Sequence, residues 1–326
     1  MKPFNFTKAT NQNDAIKSIK PDGKFIAGGT NLVDLMKEGI SQPSQLVDIS
    51  RLPLSTIQAN KSGGVTIGAL AKNSDTANHP LIRTKYPLLS QAILAGASAQ
   101  IRNMATLGGN MNQRTRCAYF YDVAMPCNKR EPNSGCGAME GLNKNHAILG
   151  WSESCVATNP SDMSVALAAL DANVNILGTN GKIRTIGFTE YHRLPENDAT
   201  KDNNLNAGEL IISVDLPPIG IPTKSHYLKV RERTSYAFAI VSVAVVWYEK
   251  GGRMNSPRIV LGGVAHKPWR CIEAENFLGG KIANEENFKQ AAEIALKDAK
   301  PLSQNAYKIT LAKRAIVRAL MNANGK

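Results

Sequence analysis

Four of the five cysteines in this 326-residue chain, Cys117, Cys127, Cys136 and Cys155, lie within a span of 39 residues. Sulfur concentrated in this way does one of three jobs. Two disulfides would need an oxidising compartment, and the N-terminal stretch MKPFNFTKATNQNDAIKSIK carries no apolar signal segment to deliver the chain to one. A structural zinc ion takes four thiolates, usually from closely paired C-x2–4-C knuckles, which this segment lacks. A [4Fe–4S] cluster also takes four thiolates and does not need them in close pairs. Spacing alone leaves zinc and iron–sulfur balanced. Arg114, Arg116, Lys129 and Arg130 accompany the cysteines. Positive charge beside a cluster raises its potential; the plainer reading is a solvated loop rim. His146 falls in the same stretch and, with four thiols completing a ligand set, reads as a surface residue. Cys271 stands apart as a buried or incidental thiol.

A second chemistry is signalled by glycine. Residues 25–32 (FIAGGTNL) set two glycines between an apolar strand-like run and a helix-like one. Glycine lets backbone amides approach an oxyanion closely, a helix start adds free N–H donors, and Thr30 and Asn31 add polar side chains. This suits a pyrophosphate, although it is neither G-x-G-x-x-G nor a P-loop. Alone it reads first as an ordinary strand–turn–helix connection. A second such signal, ATLGGN at 105–110, suggests two loops closing on one extended anionic ligand.

Nothing else in the chain offers chemistry on a substrate carbon. The five histidines are scattered, and no Ser–His–Asp order can be assembled. The net charge is +13, but the basic residues are dispersed and sit in no nucleic-acid-binding motif, so nucleic acid is not an expected partner. The longest apolar run, 237–248, is too short to span a bilayer and contains Ser242, so no membrane insertion is expected.

The elements that must position these residues follow from periodicity. Helical spacing appears at 13–20, 32–37, 87–99, 163–172, 285–299 and 304–322. Strand patterns appear at 24–27, 46–49, 64–70, 174–177, 211–216, 225–229, 237–247 and 258–262. Residues 112–158 break every pattern, and so long a loop inside a domain is usually functional or disordered. The Pro217-Pro218…Gly220-Ile221-Pro222 stretch reads as a linker. The expected fold class is α+β, with units at 1–58, 59–220 (interrupted by the 112–158 loop) and 224–326.

Taken in order, AGGTNLVDLMK (27–37), IRNMATLGGNM (101–111), NPSDM (159–163), GELIISVDLPP (208–218) and YLKVRERTSYAFAIVSVA (227–244) resemble the FAD-binding subunit of the xanthine dehydrogenase and molybdenum hydroxylase family. The resemblance implies a two-subdomain FAD-binding domain like those of vanillyl-alcohol oxidase and MurB, then an α+β domain of the CO dehydrogenase flavoprotein type. It implies FAD held by Ile26, Ala27, Gly28, Gly29, Thr30, Asn31 and Leu32 at the pyrophosphate, and by Thr106, Gly108, Gly109 and Asn110 at the second turn. Asp162 would bond the ribose or adenine end, Ile211 would lie against the ring system and Lys229 would sit near the flavin. Outside the resemblance, Asp162 is a helix cap and Lys229 a surface strand residue. In common family members GGN leads within about ten residues to the SD motif, whereas here 48 residues, 112–159, intervene. The inserted pattern RTRCAYFYD…PCNKR…GCGAMEG…ESC resembles the FAD subunit of bacterial periplasmic aldehyde oxidoreductases, and hydroxybenzoyl-CoA reductase has a comparable insertion. That implies a [4Fe–4S] cluster on Cys117, Cys127, Cys136 and Cys155. It also implies a heterotrimer. A large subunit carries the molybdenum cofactor, a small subunit carries two [2Fe–2S] clusters, and an external acceptor takes the electrons. Without a signal of its own, such a subunit is expected in the cytoplasm, or in the periplasm by co-export with a signal-bearing partner.

Overall fold

The computed structural model describes residues 1–219 and 223–325, so Gly220, Ile221 and Pro222 of the expected linker lie outside the described residues. The chain builds three sheets. Asn5–Lys8, Gln45–Asp48 and Lys24–Ile26 form a parallel sheet with Gln45–Asp48 at its centre. Its helices are short, Gln12–Ser18 and Leu32–Lys37. A five-stranded antiparallel sheet follows, ordered Ile57–Ala59, Val65–Gly68, Leu210–Leu216, Asn173–Leu177, Ile183–Gly187. The last sheet is ordered Trp269–Arg270, Arg253–Gly262, Val241–Lys250, Thr223–Val230. It is also antiparallel.

The apolar run is the strand Val241–Lys250, and it is apolar because both its faces are buried. Ala244 and Val246 face the main core, formed with the five-stranded sheet and the helices Pro87–Ala95 and Asp162–Ala169. Val243, Val245 and Trp247 face a second core under Glu285–Ala295 and Tyr307–Ala323. The helix Asp162–Ala169 is buried on all sides, which explains why apolar residues surround it.

One expected helix is divided. The pattern at 87–99 ends as a helix at Ala95, because Gly96 is extended and Ala97 is left-handed (φ 51°). Ser98 then caps a new helix, Ala99–Met104, accepting from the Ile101 amide at 3.3 Å. This break turns the chain back toward the first glycine pair.

The 112–158 insertion folds as an irregular strap with one short helix, Ala118–Tyr121. Ile148 and Leu149 enter the second core, and their amides bond the Val264 carbonyl at 2.9 and 3.1 Å. The Trp151 indole donates to the Lys300 carbonyl at 2.8 Å. Buried Lys308 donates to the carbonyls of Asn145, His146 and Gly263. The insertion therefore fastens the N-terminal half to the C-terminal half.

Candidate functional site

The first glycine turn leaves the sheet after Ile26. Gly29 is left-handed (φ 71°), which brings the chain round into Leu32–Lys37. Gly28 serves a different need: a Cβ there would stand 2.0 Å from the Met104 carbonyl oxygen. The two glycine signals thus touch, through backbone that only glycine admits. Among the described residues, the amides of Gly28, Gly29, Thr30 and Asn31 have no acceptor within the chain. Asn31 Oδ1 accepts from the Arg114 amide at 3.0 Å, while its Nδ2 is buried without a partner. A buried unpaired donor costs about 1–3 kcal/mol. A ligand oxygen at this turn would remove that cost and could engage the cleft-lining amides of Thr30 and Asn31 as well.

The second turn differs from the sequence expectation. It is a short helix, Leu107–Met111, capped by Thr106, whose Oγ1 accepts from the Gly109 amide at 3.2 Å. The amides of Leu107 and Gly108 bond the carbonyls of Ala71 and Ala69, and that of Asn110 bonds Thr106. Thr106 and Gly108 therefore build the turn and pack it on the sheet, with a Gly108 Cβ position only 3.3 Å from Ala69. Gly109 and Asn110 face the cleft. The two turns do not offer equivalent oxyanion nests, because the amides of the second are already paired.

Ser161, rather than Asp162, caps the helix Asp162–Ala169: its Oγ accepts from the Ser164 amide at 3.0 Å and donates to Asn110 Oδ1 at 2.6 Å. Asp162 is free for another role. Its Oδ1 accepts from the Tyr227 hydroxyl at 2.6 Å and its Oδ2 from Lys229 Nζ at 2.8 Å. Burial first, then the adjacent Asp162 charge, pushes the Tyr227 hydroxyl well above its ordinary range. Lys229 is not a surface residue: its side chain is 4% exposed and also donates to the Ala95 carbonyl at 3.1 Å. Ile211 is buried in the main core and is absent from the cleft wall, because its strand is interior to the five-stranded sheet.

These elements enclose a cleft of about 780 Å³ lined by Thr30, Asn31, Gly109, Asn110, Ser161, Asp162 and Lys229. Its lining also includes Arg116, His146, Arg233, Tyr236 and Phe238, which periodicity did not reveal. The Arg116 guanidinium sits 5.2 Å from the Phe238 ring centroid. Cationic side chains exceed acidic ones along this lining, as an anionic cofactor requires. Of the other expected residues, Ile26, Ala27, Gly28, Gly29 and Leu32 shape the first turn from behind rather than lining the space.

Beside the cleft, Cys117, Cys127, Cys136 and Cys155 line one small pocket with Phe120, Pro126, Ala138 and Val156. All four are free thiols. Cys127 and Cys136 face each other across an antiparallel bridge. Burial pushes the Cys117 thiol up to about 11, against the pull of the Phe120 and Tyr119 amides. Burial likewise pushes Cys155 up to about 12, against Lys129 and the Ala157 amide. Such thiols stay protonated near neutrality unless a bound cation draws off the protons. Among the described residues, no three His, Cys, Asp or Glu side chains are grouped to hold a single metal ion. The pocket is braced by Lys129, which pairs with Asp202 at 2.6 Å, as Arg114 also does at 2.6 Å. His146 departs from expectation: it is buried, and its Nε2 lies 3.1 Å from Cys117 Sγ. Cys271 lies in the second core and is not among the residues lining the cysteine pocket.

Two family profiles cover this architecture: "FAD binding domain in molybdopterin dehydrogenase" matches residues 2–219, and "CO dehydrogenase flavoprotein C-terminal domain" matches 226–323. The chain belongs to the FAD-binding subunits of the molybdenum hydroxylase family, whose members are parts of oxidoreductases. It is 44% identical over 328 residues, all of both chains, to the aldehyde oxidoreductase FAD-binding subunit PaoB of Escherichia coli K12. It is 25% identical to the glyceraldehyde dehydrogenase medium chain of Sulfolobus acidocaldarius, over 93% of this chain and 90% of that one. Its fold is similar to that in carbon monoxide dehydrogenase from Hydrogenophaga pseudoflava lacking the Mo-pyranopterin moiety. The TM-score is 0.78 at 25% identity, over 99% of this chain and 98% of that one. Among the described residues no helix is long and apolar enough to cross a membrane.

Proposed function

We propose that this chain is the FAD-bearing electron-transfer subunit of a molybdenum-dependent aldehyde oxidoreductase, with a [4Fe–4S] cluster in its four-cysteine pocket. In this reading a large subunit holds the molybdenum cofactor and oxidises the aldehyde. A small subunit with two [2Fe–2S] clusters relays the electrons here, and an external acceptor removes them. The observation that carries the assignment is end-to-end similarity, at 44% identity, to an aldehyde oxidoreductase FAD-binding subunit. The cluster is supported by the convergence of four buried or half-buried thiols, drawn from 39 residues, on one apolar pocket braced by a buried lysine. A zinc ion would need its ligands gathered round one point, whereas a cluster accepts thiolates spread round a cube.

When bound, FAD and the cluster supply the redox chemistry, the flavin accepting electrons singly or in pairs. The chain binds and orients. The free amides of Thr30 and Asn31 and the unpaired Asn31 Nδ2 would hold pyrophosphate oxygens. Asn110 and Ser161 fix the facing wall, and the Asp162–Lys229 pair holds the cleft floor against the strand Thr223–Val230. No side chain need take a proton from a substrate carbon.

The test is iron, zinc and acid-labile sulfide per FAD in protein purified anaerobically with its co-expressed partners, together with aldehyde-dependent dye reduction by the complex. About four irons and four sulfides per FAD, beyond those of a separated [2Fe–2S] subunit, are expected. Zinc, or no metal, would overturn the cluster and leave the flavin assignment standing.

A further inference from the structure

Of the four pocket cysteines, only Cys117 also lines the flavin cleft. One ring sits on its sulfur. His146 lines the cleft, is 8% exposed, and places Nε2 3.1 Å from Cys117 Sγ. The ring is held by its backbone: the His146 carbonyl accepts from Lys308 Nζ at 2.8 Å and Asn305 Nδ2 at 3.2 Å. Its amide bonds the Asn143 carbonyl at 3.0 Å. Nδ1 is buried with no partner among the described residues.

These contacts fix the tautomer. With the hydrogen on Nδ1, a buried donor would go unpaired while the Nε2 lone pair faced a thiolate. With it on Nε2, the imidazole makes a charge-assisted bond to sulfur. Once Cys117 is a thiolate, the second form wins.

We propose that His146 is a positioning residue for electron transfer, donating Nε2–H to the Cys117 thiolate at the wall shared by cluster pocket and flavin cleft, and so raising the cluster's reduction potential. The inference rests on the cluster reading above. A donor to a ligand sulfur favours the reduced state, which carries one more negative charge.

The experiment is a redox titration, followed by EPR, of the complex carrying His146→Leu or His146→Gln, with iron and sulfide measured on each sample. His146→Leu should keep its iron but lower the reduced-to-oxidised ratio at fixed potential about tenfold, or about 59 mV for a one-electron couple. His146→Gln, which restores an N–H at similar reach, should recover most of it. Pulsed EPR on the unmodified protein with isotopically labelled histidine should show a weak coupling between one histidine nitrogen and the reduced cluster, whether or not the variants fold. An unchanged potential with full iron, or no histidine coupling, overturns the role of His146 and leaves the cluster in place. Unmodified protein without iron overturns the cluster reading instead.

Discussion

Replacing Gly28 by alanine tests whether close backbone approach, rather than glycine's flexibility, shapes the cofactor turn. The added Cβ would stand 2.0 Å from the Met104 carbonyl oxygen and 2.8 Å from its carbon. Ordinary contact begins near 3.4 Å, so one backbone must retreat by roughly 1.4 Å in a close-packed region. Met104 is poorly able to move. Its carbonyl takes Lys72 Nζ at 3.0 Å, and the next carbonyl, of Ala105, accepts the Asn73 amide at 3.0 Å. Overpacking of this kind costs about 1–3 kcal/mol. If the clash is relieved by parting the two turns, the loss falls on the ligand that spans them, weakening FAD roughly 5- to 150-fold. The assay is flavin fluorescence titration of the apoprotein, with thermal unfolding measured with and without FAD. Gly187→Ala is the control, since a Cβ there meets nothing within 4 Å and φ is −62°. If Gly28→Ala binds FAD as tightly as the parent and melts at the same temperature, the contact with Met104 does not organise the turn.

The buried pair gives a second prediction: Lys229→Met strands Asp162, which is 8% exposed, and should cost about 3–5 kcal/mol in denaturant unfolding. The double variant Asp162→Asn/Lys229→Met should recover part of that, and equal losses in both would refute the pairing. Asp202 gives a pH dependence. Burial alone would raise its carboxyl, but Lys129 and Arg114 together bring it to about 2, against 3.8 ordinarily. Its stabilising contribution is therefore full above about pH 4 and is lost as pH falls toward 2. Asp202→Asn should flatten that acid limb of the unfolding curve, and an unchanged limb would place the effect elsewhere. Finally, Cys136→Ser should lower iron per FAD while Cys271→Ser leaves it unchanged, as colorimetric iron assay would show; iron loss in Cys271→Ser alone would reassign the ligands.

What the sequence alone determined is local. Alternating and helical apolar spacing located the strands Asn173–Leu177 and Leu210–Leu216 and the helix Leu32–Lys37, because burial of one face dictates the period. Glycine pairs marked both turns, and cysteine crowding marked the pocket. Short elements with little apolar face escaped notice, among them Asn5–Lys8 and Ile183–Gly187, since partner strands rather than their own patterning define them. Tertiary structure decided everything that depends on distant neighbours. Gly28 needs to be glycine because Met104 arrives there, and Lys229 is buried because Asp162 lies opposite. The second turn's amides are paired because the strand Val65–Gly68 and its following residues present carbonyls to them. His146 looked like surface in the sequence and became a sulfur's neighbour, because Lys308 and Asn305, some 160 residues on, hold its backbone in place. Residue type limits what a side chain can do, but burial and partners set its charge, tautomer and reach, and those come only from packing.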